Sequence, residues 1–368
     1  MLNKLNILQI PYGGLGSGGV SSVILSIVET LHPYFDFTCL VFDQMGAREQ
    51  VFKRYSSLKR VKFCYAPATW YRWLTVMLRP FVLYAQVYKM CKKEHFDVVH
   101  CHNGYDQWIG LMAAKHAGAN IRIAHSHNTN TPARIGIFKR WYRLWAVRLV
   151  NHYATVRLGC SKQACLDFFG EVPWQVVDNT VDLKKFDGTK HLPSQTKRFI
   201  HVGRYTYQKN QEFVLAVFAE LHKQFPDITL DLVGTGSRKS LLEEQIKQYH
   251  LQQSVRLIDG TEVDIPAQYA QADYMIFPSR YEGFGIVLIE AQAMGIYCFV
   301  SQAIQPEVNC GLLTFLNLED GPKKWAAAIA AHMQNVAVCG KPDEKRLQRF
   351  DPQRIAMQYK EIYEEDNQ

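Results

Sequence analysis

Residues 274–295 read YMIFPSRYEGFGIVLIEAQAMG. The apolar run Tyr274–Phe277 predicts a strand, and Pro278 ends it. Gly283 and Gly285 make a turn, and a helix follows from about Ile286 to Met294. A strand, a glycine loop and a helix make one βα unit. The unit recurs on both sides of this stretch. Phe199–Val202, Ile228–Val233, Val255–Ile258 and Tyr297–Val300 read as strands, and Gln211–Gln224 and Arg238–His250 as helices. An earlier series holds strands at Leu5–Pro11, Phe35–Phe42, Asp97–His100 and Ile121–Ala124, with a helix at Gly18–Leu31. Strand–helix alternation means parallel sheets with right-handed crossovers. The segment 186–195, FDGTKHLPSQ, interrupts the alternation and reads as a linker. The fold class is therefore α/β, with two doubly wound Rossmann-like halves. A length of 368 residues suits two cores better than one. Pro352 to Glu365 forms an amphipathic helix with Ile355, Tyr359, Ile362 and Tyr363 on one face.

Composition narrows the class. Apolar residues make up 48% and charged residues 21%, as in a soluble globular protein. The most apolar region, Trp70 to Tyr88, is broken by Arg72, Arg79 and Pro80, so no membrane span is expected. Met1 leads straight into strand-like sequence, so no signal peptide is expected. The nine cysteines are scattered and lack a C-x-x-C pair. That argues for reduced thiols in a cytosol and against a disulfide framework or structural zinc. Charge is uneven. Residues 1–190 hold 24 Lys+Arg and 12 Asp+Glu, a net of +12, leaving −4 for residues 191–368. A basic first half calls for an anionic partner. No nucleic-acid motif accompanies the charge, so nucleic acid is not expected. The stretch 134–148, RIGIFKRWYRLWAVR, mixes cations with aromatics and suits an interfacial helix on an anionic bilayer.

Polar residues at strand ends carry the functional signal, because ligands of doubly wound sheets sit there. Gly14, Gly16 and Gly19 fit G-x-G-x-x-G, and Asp43 ends the second strand. Alone, this matches a dinucleotide fingerprint and an NAD(P)-dependent oxidoreductase. Physically it is a place where amides approach any nucleoside diphosphate. Two later strands end in His100-Cys101-His102-Asn103 and His125-Ser126-His127-Asn128. A metal is not expected there. No acidic ligand accompanies the histidines, and alternate strand residues are taken to face opposite sides. In the second half, Val202-Gly203-Arg204 leads to Lys209 across a strand–helix loop, and two cations there suit a diphosphate. Val233-Gly234-Thr235-Gly236 ends another strand. Glu282 and Glu290 bracket the glycine turn, with Glu290 about one turn inside the helix. Its neighbours are apolar, so the sequence predicts a buried Glu290. A buried carboxylate needs a partner, for which vicinal ribose hydroxyls are suited. Free amides at Gly285, Ile286 and Val287 can meet phosphate oxygens.

These motifs, with Val177-Asp178-Asn179-Thr180-Val181-Asp182 before the linker, run nearly end to end. The chain resembles the retaining nucleotide-sugar glycosyltransferases of family 4, and within them the bacterial capsule and exopolysaccharide enzymes. The resemblance implies a GT-B fold, its two domains facing each other across a cleft. It sets boundaries at 1–185 for an acceptor domain, 186–196 for the linker, 197–349 for a nucleotide-sugar domain and 350–368 for a helix crossing back. It implies Gly18 and Gly19 near the donor diphosphate and His127 against the donor sugar. Arg204 and Lys209 would stabilise the leaving diphosphate. Glu290 would bind the ribose, and the base would rest near Val255–Gly260. Glu282 would hold the sugar with the amides of Gly283, Phe284, Gly285 and Ile286. Gly203, Gly234, Gly260 and Val287 complete the donor site, and His102, Asn103 and Asn128 lie on the acceptor side. The donor is expected to be a UDP-sugar, without a metal or other cofactor. The acceptor is expected to be a saccharide or a polyprenyl-diphosphate-linked one. The location expected is the inner face of the cell membrane. A non-catalytic GT-B partner subunit is the remaining alternative, though it should have lost the Arg/Lys or Glu pair. The chain departs from the family at Asn179-Thr180, where Asn-Gly is usual. It also lacks a proline at Gly295-Ile296-Tyr297 and differs in the loop from Gln302 to Glu307.

Overall fold

A computed structural model describes residues 4–12, 15–16, 18–42, 46, 48–61, 72–102, 104–128, 137–191, 196–335 and 340–365. The chain divides into two compact units. One is Met1–Thr180 together with Pro352–Gln368, and the other is Val181–Asp351.

In the first unit the elements run β1 (Asn6–Ile10), α1 (Gly19–Leu31), β2 (Asp36–Phe42), α2 (Glu49–Phe52) and β3 (Ser57–Val61). They continue with α3 (Arg72–Glu94), β4 (Val98–His102), α4 (Gln107–Ala117), β5 (Ile121–Ser126) and α5 (Ile137–Tyr153). Then come β6 (Val156–Gly159), α6 (Lys162–Phe169) and β7 (Gln175–Val176). The strands form one parallel sheet in the order β3-β2-β1-β4-β5-β6-β7. Chain order reverses between β1 and β4, which makes their carboxyl ends the switch point of the sheet.

The second unit repeats the plan. It runs β8 (Arg198–Val202), α7 (Gln211–Gln224), β9 (Thr229–Val233), α8 (Lys239–Gln248), β10 (Val255–Ile258), α9 (Ile265–Ala270) and β11 (Tyr274–Phe277). After these come α10 (Ile286–Ala293), β12 (Tyr297–Ser301), β13 (Leu313–Leu316), α11 (Gly321–Asn335) and α12 (Glu344–Leu347). The parallel order is β10-β9-β8-β11-β12-β13, with its switch point between β8 and β11. Among the described residues, then, the sheets have seven and six strands.

Helices cover both faces of a parallel sheet, so its inner strands are buried throughout. All five residues of β4 and all four of β11 are buried. The first core gathers Leu8, Ile10, Val87, Val99, Leu111 and Phe169, and the second gathers Phe199, Phe218, Leu232, Ile276 and Trp325. The last helix, α13 (Pro352–Glu364), leaves the second unit and packs against α1. Ile355, Ala356, Tyr359, Ile362 and Tyr363 form its buried stripe. Where the chain passes between units, the Val181 amide donates to the Phe350 carbonyl at 3.0 Å.

Candidate active site

In the second unit, the loops after β8 and β11 are tied together. The Lys209 ammonium donates to Glu282 Oε2 at 2.5 Å, and both side chains are largely buried. The same ammonium lies 4.7 Å above the Phe277 ring. Asn210 adopts a left-handed conformation, φ 58°, at the N-cap of α7. Its Nδ2 donates to the Pro278 carbonyl at 3.1 Å, and its Oδ1 accepts from Arg280 at 2.8 Å. The Arg280 guanidinium also sits 4.3 Å over the Tyr207 ring. Gln208 Nε2 donates to the Tyr281 carbonyl, and the Arg280 amide to the Gln208 carbonyl. His201 is buried beneath this loop pair, and burial pushes its pKa down to about 4, so it is neutral. It bonds the Ile276 carbonyl through Nδ1, and Gln211 then reaches from its Nε2 side to the Arg204 carbonyl. Arg204 itself is exposed.

Gly285 caps α10 at φ 92°, a left-handed conformation natural to glycine. The first amides of a helix have no partner within it, which is where the expected phosphate contacts would lie. The composition of α10 predicts burial all round, but the structure differs. Ile286, Val287 and Glu290 are half-buried and share one face, while Leu288, Ile289, Ala291 and Gln292 are buried. Glu290 is thus a partly open carboxylate, because the helix turns this stripe away from the sheet. The buried Tyr269 hydroxyl reaches its Oε2 at 3.3 Å and the Val287 carbonyl at 3.2 Å. Burial raises the Tyr269 pKa, so the phenol remains a donor. Phe284 is 2% exposed and packs edge-on to Phe350, so its own contribution to a ligand would come from its backbone. Gly283 is buried in the same loop.

The glycines at the strand ends have a different reason from the one their spacing implies. The Gly203 amide bonds the Val233 carbonyl, and the Gly234 amide bonds the Ile258 carbonyl. A Cβ on Gly234 would overlap the Gly203 carbonyl, and one on Gly260 would press on Gly234. These glycines let neighbouring backbones converge around the floor of the site.

In the first unit, Gly18 caps α1 at the end of the loop after β1, and Gly18 and Gly19 are both exposed. A Cβ on Gly18 would meet nothing within 4 Å, so the position is open. Gly13, Gly14, Asp43 and Asn103 lie outside the described residues, as do residues 134–136 of the basic stretch. Asn128 is exposed, its carbonyl accepting from the Ser126 hydroxyl at 3.2 Å.

The histidines correct the expectation that they face opposite sides. His100 and His102 are two residues apart, so they share a face of β4, and their rings stack at 4.0 Å. His125 and His127 pair likewise at 3.9 Å. All four are buried. Burial is the main force holding each pKa below the usual histidine value, well below for His100, His102 and His125 and to about 4 for His127. The cluster is therefore neutral at pH 7. Ring nitrogens of His100, His102 and His125 lie within 4.8 Å of one another, a spacing that three metal ligands could share. The donor set fits a cation poorly. Three imidazoles hold zinc only with an open fourth position for water, and these rings are fully buried. The nitrogens also face hydrogen-bond partners: His100 Nε2 meets His125 Nδ1 at 3.2 Å and His102 Nε2 meets Gln9 Oε1 at 2.6 Å.

Sequence reading missed Gln9, Tyr363, Asn210, Arg280 and Tyr269 as site residues. Asn210 and Arg280 stand inside the motifs, and their polarity beside a strand end was the available signal. Gln9, inside an apolar strand, was a second.

A family model described as Glycosyltransferase Family 4 matches residues 17–185, and one described as Glycosyl transferases group 1 matches residues 184–310. EpsF of Bacillus subtilis (strain 168), which bears the name of a glycosyltransferase, is 31% identical over 264 residues, covering 67% of each chain. The UDP-Gal:alpha-D-GlcNAc-diphosphoundecaprenol alpha-1,3-galactosyltransferase of Escherichia coli is 28% identical over 244 residues, covering 58% of this chain and 60% of that one. Among solved structures, Anabaena HepE in complex with UDP-glucose superposes with a TM-score of 0.78 at 19% identity, covering 98% of this chain and 100% of that one. That last likeness is one of fold.

Proposed function

The chain belongs to the family 4 glycosyltransferases, a GT-B family, and from that premise we propose that it is a retaining enzyme of surface polysaccharide synthesis. It moves a hexosyl or N-acetylhexosaminyl group from a UDP-sugar to a saccharide carried on a polyprenyl diphosphate. The observation that carries the reading is the switch point of the second sheet. There the Lys209–Glu282 pair ties the loop after β8 to the loop that leads into α10, whose half-buried stripe carries Ile286, Val287 and Glu290. All four residues that a non-catalytic partner would have lost are present, and family membership sets the oxidoreductase alternative aside.

Charge develops on the leaving diphosphate as the sugar departs. Arg204, Lys209 and the α10 amides stabilise it in place of a metal. Glu282 fixes the Lys209 ammonium, and Tyr269 orients Glu290 for the ribose. The acceptor hydroxyl attacks from the face the diphosphate leaves, and the leaving phosphate takes its proton. His127 lines the sugar at that point.

A thermal-shift panel of UDP, GDP, ADP and NAD(H) tests the donor reading. UDP should raise the melting temperature equally with Mg²⁺ or with chelator, and Glu290→Ala should abolish the shift. A shift that requires Mg²⁺ would contradict metal independence, and one given by NAD(H) alone would overturn the assignment.

The acceptor's lipid places the enzyme on the inner face of the membrane. Among the described residues no helix is long and apolar enough to cross a bilayer. Instead, α5 exposes Ile137, Phe138, Trp141, Leu144 and Trp145 among Lys139 and Arg140, with Phe138 87% exposed. On α3, Phe81 is 72% exposed. Aromatic and basic side chains together suit an anionic interface. The protein should co-sediment with vesicles containing anionic lipid at low salt, and Phe138→Ser with Trp141→Ser should release it. Absence of wild-type binding would refute docking.

A further inference from the structure

Six buried side chains of the first unit form one hydrogen-bonded chain. His127 Nε2 meets His102 Nδ1 at 3.0 Å, and His102 Nε2 meets Gln9 Oε1 at 2.6 Å. Gln9 Nε2 donates to the Tyr363 hydroxyl at 3.0 Å. That hydroxyl meets His100 Nδ1 at 2.9 Å, and His100 Nε2 meets His125 Nδ1 at 3.2 Å. Five members are 0% exposed and His127 is 6% exposed. A neutral imidazole has one donor and one acceptor, so each ring passes the donor direction on to the next.

Gln9 decides that direction, because an amide has distinct ends. Its oxygen faces His102, so His102 carries its proton on Nε2 and accepts at Nδ1. His127 must then donate from Nε2. On the other arm, the Gln9 amide donates to Tyr363, whose hydroxyl donates to His100 Nδ1. His100 donates from Nε2 to His125. The ends of the chain are His127 Nδ1 and His125 Nε2, both buried, with Asn179 beside His127. The opposite amide orientation would invert every donor along the chain.

We propose that Gln9 and Tyr363 are positioning residues for His127, holding it as the Nε2–H tautomer so that its Nδ1 keeps a lone pair for a substrate hydroxyl. The C-terminal helix, through Tyr363, is thereby part of the apparatus that sets the hydrogen-bonding character of a residue on β5's far end. The proposal rests on the reading of His127 as a contact of the donor sugar. Asn179 is the neighbour that opposes the arrangement, since it favours a proton on His127.

Nitrogen NMR of the full chain labelled with ¹⁵N-histidine tests it, with His127 assigned from a His127→Gln spectrum. The wild type should show a protonated Nε2 and a bare Nδ1 for His127. Gln9→Met removes the acceptor for His102, so His127 should then populate both tautomers. Tyr363→Phe, which frees the Gln9 amide to turn over, should do so as well. Transfer should slow roughly tenfold in Gln9→Met, the worth of one hydrogen bond. An Nδ1–H tautomer in the wild type, or an unchanged His127 signal in Gln9→Met, overturns the proposal. So does one tightly bound zinc per chain in elemental analysis. If neither variant folds, the wild-type spectrum still decides. Wild-type turnover in His127→Ala would refute the sugar contact while leaving the tautomer result intact.

Discussion

Lowering the pH from 7 to 5.5 should remove about 5 kcal/mol of stability from the first unit, close to the whole stability of a small domain. The cause is the cluster of His100, His102, His125 and His127, all held below the ordinary histidine pKa by burial. Unfolded, each titrates near 6.5. Between that value and the folded one, the unfolded chain binds protons and the native chain does not. Stability therefore rises with pH across this window and is lost as pH falls below about 6.5, continuing towards the folded value of about 4 at His127. Each histidine contributes about 1.3 kcal/mol between pH 7 and 5.5, and four act together. The second unit has two such residues, His201 and the less buried His332, so it should soften less. Six of the seven tryptophans precede residue 181, so tryptophan emission reports chiefly on the first unit. Its thermal midpoint should drop steeply between pH 7 and 5.5. A midpoint that stays constant would show that the cluster accepts protons without unfolding.

Breaking the Lys209–Glu282 pair from one side should destabilise the second unit by about 3 kcal/mol, or roughly 10 °C in its midpoint. The pair is largely buried, 14% and 11% exposed by side chain. Lys209→Met removes the counter-ion of a carboxylate that is already desolvated. Glu282→Gln leaves an ammonium over the Phe277 ring. Removing both charges removes both penalties, so the double variant should regain most of the lost stability. Activity should behave otherwise. Lys209→Met loses a charge-assisted hydrogen bond to the leaving group, about 1.5–3 kcal/mol, and should slow turnover by roughly 10- to 100-fold. The double variant should remain as slow. Strictly additive destabilisation would show that the two groups do not interact, and wild-type turnover in Lys209→Met would remove it from the mechanism.

Strand–helix alternation read from Tyr274 outward yields four of the seven described strands of the first sheet and five of the six of the second, because inner parallel strands are apolar runs with glycine loops at their ends. Val156–Gly159 and Leu313–Leu316 were not read. Ser57–Val61 escaped that reading because it lies at the sheet edge, and its Ser57, Lys59 and Arg60 hide the pattern. Gln175–Val176, also at an edge, is two residues long and exposed. The loop residues Arg204, Lys209, Glu282 and Glu290 were legible because charge beside a strand end is conspicuous. The openness of Glu290 was not, since composition cannot say which stripe of an apolar helix turns from the sheet. The histidine chain was hidden for another reason. Two of its members, Gln9 and Tyr363, are separated by 354 residues, and only tertiary packing brings them to 3.0 Å.

The return of α13 to the first unit fixes an order of events during synthesis. The first unit is interrupted at Thr180 and resumes at Pro352, so all of the second unit is translated in between. Until then the nascent first unit lacks α13, so the surface of α1 that this helix covers and the Phe35 and His100 rings that Tyr363 packs on are bare. The second unit, continuous from Val181 to Asp351, needs no segment from elsewhere in the chain to complete it. The half of the molecule that emerges first is thus the half that finishes last. Its exposed apolar surface is the part of the nascent chain on which a chaperone would act.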